Sequence, residues 1–299
     1  DTTIVEKYSK QDQVAPKKTE GVQRNTESKT LTVDGGSYVA KINNVAGGSI
    51  VSFDLKKHLK SSEESLNLID NQNSKNLVVS FINQSGEIVV LDEPWSIVSG
   101  GSAVLSEENS ASSMVFETSY MGKPITKKLI FYYNSYEVDV HVSLREIKES
   151  SLDEKYVLSW VGGLPEHEGS QDAMFMESLV SQAGSIESFR VGAAGFFGSS
   201  NTKNIDEENK KYVGLVDFAG YRTKYFGVFF VPEKSDIVEV YKYPSTNRAG
   251  VDINISQGIN LEKNKLYLGP LDYSSVEALG VGLEEKILGW QWLSSVSWL

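Results

Sequence analysis

From Lys29 onward the chain is a succession of short apolar runs broken by Gly, Asn, Ser and Asp, at residues 38–42, 50–55, 77–82, 88–91, 103–105 and 114–120. Runs of this length between turn formers predict strands. The sharpest pattern lies at 126–133 and 136–144. In the second run Val138, Val140, Val142 and Leu144 alternate with Glu137, Asp139, His141 and Ser143, so one face is expected in a core and the other toward water. Asn134 and Ser135 supply the turn of a hairpin. Further strands are predicted at 155–160, 212–218, 225–231, 237–243, 251–255 and 265–268. With no long helical pattern before Ser274, this spacing predicts an all-β antiparallel sandwich.

Two stretches depart from that texture. Residues 162–211 hold Gly-Gly, Leu-Pro-Glu-His-Glu-Gly, an Ala-Met-Phe-Met cluster and a charged end, and they read as long excursions between strands. At the C-terminus the period changes: Val276, Leu279, Leu283, Ile287 and Trp290 are spaced by three and four, which predicts an α-helical segment with one apolar face. Charge stops at Lys286. The thirteen residues 287–299 carry no ionisable side chain and hold three of the five tryptophans, Trp290, Trp292 and Trp298, with Leu293 between them. Trp concentrates where hydrocarbon meets headgroups because its apolar body carries one N–H donor. A helix needs roughly 20 apolar residues to cross a bilayer, so this stretch is expected to begin a span rather than complete one. A helix docked on its own domain is the competing reading for residues 274–286.

Residues 1–28 contain ten charged positions that sum to zero and no periodic apolar pattern. Such a segment buries too little to offset its chain entropy and is read as a flexible linker. The organisation expected is therefore a linker over 1–28, a sandwich over 29–270 and a helical connector over 271–299.

Composition narrows the chemistry. A net charge of −11 and the absence of any Lys/Arg cluster argue against nucleic acid as a partner. An acidic body is also repelled by anionic lipid, which leaves the uncharged tail as the expected membrane contact. The chain has no cysteine, so disulfides, thiolate metal sites and cysteine nucleophiles are all excluded. Of the three histidines, His58, His141 and His167, none has a second His at metal-ligand spacing; Glu166 and Glu168 beside His167 are read as solvated turn residues. Gly192, Gly195 and Gly198, like Gly280 and Gly282, lack the strand–turn–helix context of a phosphate loop. No catalytic, cofactor or metal site is expected.

Several ordered motifs resemble the large periplasmic domain of the YidC membrane insertases, of the Oxa–Alb–YidC group. They are Tyr38-Val-Ala-Lys-Ile-Asn-Asn-Val-Ala-Gly47-Gly48, the 125–142 strand–turn–strand, the 217–232 segment ending in an aromatic strand and Pro232, Leu266-Tyr-Leu-Gly269-Pro270, and Gly289-Trp290. The resemblance implies a β-supersandwich like that of sugar mutarotases, with a first membrane span ahead of residue 1 and a second that continues past Leu299 by about ten more apolar residues. It further implies a periplasmic accessory domain on the bacterial inner membrane, serving a membrane protein insertase and chaperone. The partners implied are the Sec translocon, nascent membrane proteins and the lipid bilayer. The residues carried by that reading are the membrane-proximal Leu283, Ile287, Trp290, Trp292, Leu293 and Trp298, and the turn residues Gly47, Gly48, Gly269, Pro270 and Gly289. The alternative is a secreted carbohydrate-binding or mutarotase-like sandwich, which would need a His and a Glu converging in a cleft.

Overall fold

The computed structural model describes residues 21–22, 27–59, 65–69, 75–161, 164–165, 175–190, 209–242 and 251–284. The chain opens with β1 (Thr30–Asp34), β2 (Tyr38–Asn43), β3 (Ser49–Leu59) and β4 (Ser65–Asn67), followed by β5 (Val78–Ile82), β6 (Ile88–Val90), β7 (Ser96–Ser99) and β8 (Ala103–Val104). Next come β9 (Ala111–Tyr120), β10 (Lys123–Tyr132), β11 (Glu137–Ser143), β12 (Lys155–Trp160), β13 (Glu177–Gln182) and β14 (Ser185–Arg190). The last strands are β15 (Asn209–Arg222), β16 (Phe226–Pro232), β17 (Ser235–Lys242), β18 (Val251–Gly258) and β19 (Lys263–Pro270), ahead of a short helix, α1 (Tyr273–Glu277).

These strands make two sheets. The smaller runs β4-β3-β2-β1-β8; the larger runs β6-β5-β12-β18-β17-β15-β16-β19-β11-β10-β9-β7, with β13 and β14 attached through β15. All described pairings are antiparallel except β1 with β8. Between the sheets lies one continuous core, in which Val33, Tyr38 and Phe53 of the small sheet meet Phe116, Leu129 and Val140 of the large one. Each such side chain contributes about 1.5–3 kcal/mol by leaving water.

The hairpin of β10 and β11 shows how sequence dictates register. Phe131 pairs with Val138 and Thr126 with Ser143, Val138, Val140, Val142 and Leu144 are fully buried, and Asn134 takes the left-handed conformation at φ 54. An all-β antiparallel sandwich is the observed fold.

Two expectations are corrected. Residues 162–211, read as excursions, contain the β13–β14 hairpin and the start of β15. No period-two pattern announced β13, because its neighbours Leu179 and Val180 are both buried, one on each face of the sheet. The helical segment predicted from Val276 is interrupted: α1 ends at Glu277, and Gly280 (φ 67) and Gly282 (φ 73) turn the backbone before helical geometry resumes at Leu283. No helix among the described residues is long and apolar enough to cross a membrane. Gly21 and Val22 lie against the sheet, where Val22 bridges Tyr120 and Met121 N–H donates to the Gly21 carbonyl at 2.8 Å.

Candidate functional site

The residues that set this chain apart from a plain sandwich lie where β19 gives way to α1. Gly269 is required there, since a Cβ would stand 2.7 Å from the Cβ and Cγ of Tyr136. Leu271 N–H donates to the Tyr225 carbonyl at 2.7 Å, which ties the connector to the β15–β16 turn. Asp272 then caps α1: its carboxylate accepts from Ser275 N–H at 2.9 Å and from the Ser274 and Ser275 hydroxyls at 2.9 and 2.8 Å.

The spacing of the apolar residues does its work although the helix is broken. Leu271, Val276, Leu279 and Leu283 are buried against Leu179, Phe218, Phe229 and Tyr267, on the face of the large sheet turned away from the main core. Phe218 and Phe229 meet edge to face at 5.9 Å, and Tyr136 and Tyr267 at 6.4 Å. Tyr267 donates its hydroxyl to the Pro270 carbonyl, so the side chain closes the turn that its own strand enters. Burial pushes the Tyr136 and Tyr267 phenols up, with the charge of Asp272 adding to the shift in each.

Leu283, Gly269 and Pro270 are thus brought together at this seat. Ile287, Gly289, Trp290, Trp292, Leu293 and Trp298 lie outside the described residues. Gly47 and Gly48 form a separate centre, the β2–β3 turn. At Gly47 (φ 72) a Cβ would fall 2.6 Å from the Trp95 ring; at Gly48 (φ 111) it would meet Leu129 and Phe116 at 2.8 Å.

Beneath that turn is a residue that sequence reasoning passed over. Lys127 is wholly buried on β10. Its ammonium donates to the carbonyls of Ala46 and Leu77, both in the left-handed region at φ 54 and 56. Burial lowers its pKa to about 7. Alternation places position 127 inward, but nothing in a lone Lys within a strand distinguishes this from a solvated one. Glu177 and Arg222 were also missed. They pair across β13 and β15, with side chains 9% and 8% exposed, on the sheet face that carries Leu179 and Phe218.

No grouping of three or more potential metal ligands occurs among the described residues. His141 sits half-buried on β11 between Lys128 and Lys263 of the adjoining strands. His167, Glu166, Glu168 and Gly192, Gly195 and Gly198 lie outside the described residues, as does the side chain of His58.

The sequence profile of the family described as YidC periplasmic domain matches residues 30–296. The chain belongs to that family. It is similar to the membrane protein insertase YidC of Prosthecochloris aestuarii, 28% identical over 286 residues, covering 90% of this chain and 46% of the relative. The insertase of the same name from Chlorobaculum parvum is 25% identical over 284 residues, covering 88% and 46%. The chain therefore spans about half the length of these YidC relatives. Among solved structures it is similar to a galactose mutarotase-like protein from Lactobacillus casei (TM-score 0.42, 10% identity, 81% of this chain and 100% of that one). A GH36 α-galactosidase from Geobacillus stearothermophilus matches with TM-score 0.45 and 8% identity, over 81% of this chain and 41% of that one.

Proposed function

We propose that this chain is the periplasmic accessory domain of a membrane protein insertase that assists insertion and folding of inner-membrane proteins, alone or with the Sec translocon. One observation carries the reading: the family match runs almost the length of the chain, and the relatives it aligns with are about twice as long and named insertases. Residues 1–28 act as a tether, 29–270 as the sandwich and 271–299 as the connector that leads into a membrane span. The domain itself performs no covalent chemistry; its roles are contact and placement. The seating of Leu271, Val276, Leu279 and Leu283 on the sheet supports this, since it fixes the direction in which the connector leaves the sandwich.

The test is complementation. The intact gene containing this chain, supplied to a bacterium whose own insertase is shut off, should restore insertion of short inner-membrane proteins. Loss of insertion despite normal expression in the membrane fraction would overturn the reading.

A further inference from the structure

Among the described residues, the surface tyrosines are all at one end. Strands β9, β10, β11 and β19 run alongside one another; the Met121–Gly122 hairpin marks one end, and Tyr132, paired with Ala111, marks the other. Over the ten residues of β10 these ends are about 30 Å apart at a rise of ~3.3 Å per residue. The connector leaves from the Tyr132 end: Tyr267 pairs with Glu137, Phe226 with Pro270, and Leu271 N–H reaches the Tyr225 carbonyl.

Among the described residues, the tyrosines that reach the surface are Tyr132, Tyr133, Tyr136, Tyr225 and Tyr273, and every one lies at that end. Tyr38, Tyr120, Tyr156, Tyr212, Tyr221 and Tyr267 are buried. Tyr225 and Tyr273, 43% and 49% exposed, flank the first residues of the connector, and Lys224 Nζ stands 4.6 Å from the Tyr225 ring centroid. Phenol rings beside the ammonium of a long aliphatic stem suit the headgroup layer, where an apolar body and a polar tip are both accommodated.

We infer that this tyrosine-rimmed end rests on the headgroup layer of the bilayer, with Tyr225 and Tyr273 at the contact. The inference builds on the proposed function, and three observations select lipid as the occupant. The connector that starts at this end leads along the sequence to residues 287–299, which carry three tryptophans and no charge. Lys224 offers one cation there. Asp272 precedes Tyr273, and Glu277 accepts from the Tyr273 hydroxyl at 2.9 Å; these carboxylates keep the rim from being basic, so the contact suits a zwitterionic surface rather than strong recognition of anionic lipid.

Residues 1–299 hold no cysteine, so a direct test is available once any cysteine elsewhere in the intact protein is replaced by serine. Nitroxide labels placed singly by Tyr225→Cys, Tyr273→Cys, Leu152→Cys and Trp292→Cys would be read in the intact protein, reconstituted in phosphatidylcholine vesicles, by their relative accessibility to oxygen and to a water-soluble nickel chelate. Leu152 is 53% exposed beyond the 3-10 turn Arg145–Ser150, which the Lys123–Glu149 pair at 3.8 Å ties to the opposite end of β10. The expected result is severalfold more oxygen relative to chelate at 225 and 273 than at 152. If 225 and 273 match 152 while 292 is buried in lipid, the inference falls and the proposed function stands. Should 292 be as wet as 152, the proposed function falls with it. Labels at 225 and 273 that are immobilised but shielded from oxygen as well as chelate would mean a protein covers this end, which also overturns the inference. Lys224→Cys, whose own side chain is half-buried at the surface, repeats the reading should either tyrosine variant misfold.

Discussion

Lys127 Nζ lies 5.2 Å from the centroid of the Trp95 ring, and Gly47 comes too close to the same ring to admit a Cβ. One ammonium, one indole and one glycine turn therefore lock the small sheet to the large one. Replacing Gly47 by Ala would add a methyl at a left-handed φ and drive it into Trp95. A loss of about 1–3 kcal/mol in urea unfolding is expected, and Trp95 fluorescence should shift in the folded state.

Lys127 makes the stability depend on pH. Its folded pKa, lowered to about 7 by burial, lies below the unfolded value of about 10.4. Between those values the unfolded chain binds more protons, so this residue makes stability rise with pH from about 7 toward 10 and contributes no slope below about 6. Lys127→Met leaves the Ala46 and Leu77 carbonyls without their donor and should cost about 1–3 kcal/mol. Urea unfolding at several pH values checks both points, and the wild-type excess over the Met variant should be larger at pH 9 than at pH 6.5.

Glu177 and Arg222 form a buried pair, in which Arg222 Nε donates to Glu177 Oε1 at 2.8 Å. Arg222→Met alone strands a buried carboxylate and is expected to cost about 3–5 kcal/mol. The double change Glu177→Leu with Arg222→Met should recover most of that loss. A double-mutant cycle in chemical denaturation measures it.

At the connector, Leu283→Ala removes a side chain that is fully buried against the sheet. About 2–4 kcal/mol of local stability should go, while Asp272→Ala, which removes only the cap, should cost about 1 kcal/mol. Hydrogen exchange would rise over 271–284 in both variants, more in the first, with the strands of the main core unchanged.

How much of this was legible beforehand depends on where each residue points. Strands with one face in the core, such as β11, announce themselves through Val138, Val140 and Val142. A strand buried on both faces does not: Leu179 and Val180 sit side by side, so β13 looks like part of an irregular stretch. The connector was half legible. Val276, Leu279 and Leu283 gave the buried face correctly, yet Gly280 and Gly282, weighed only as a failed phosphate loop, are what breaks the helix. Lys127, Glu177 and Arg222 carry their meaning in partners from distant strands, and no local pattern marks them.

The central claim is that this sandwich is held to a membrane by its own tryptophan-rich end. The most direct measurement is quenching of tryptophan fluorescence by brominated phosphatidylcholine in the intact reconstituted protein, compared with a variant carrying Trp290→Phe, Trp292→Phe and Trp298→Phe. The account predicts quenching that falls clearly in the triple variant, since Trp95 and Trp160 are buried in the sandwich and any tryptophan elsewhere in the intact protein contributes equally to both. Equal quenching in both proteins would contradict it.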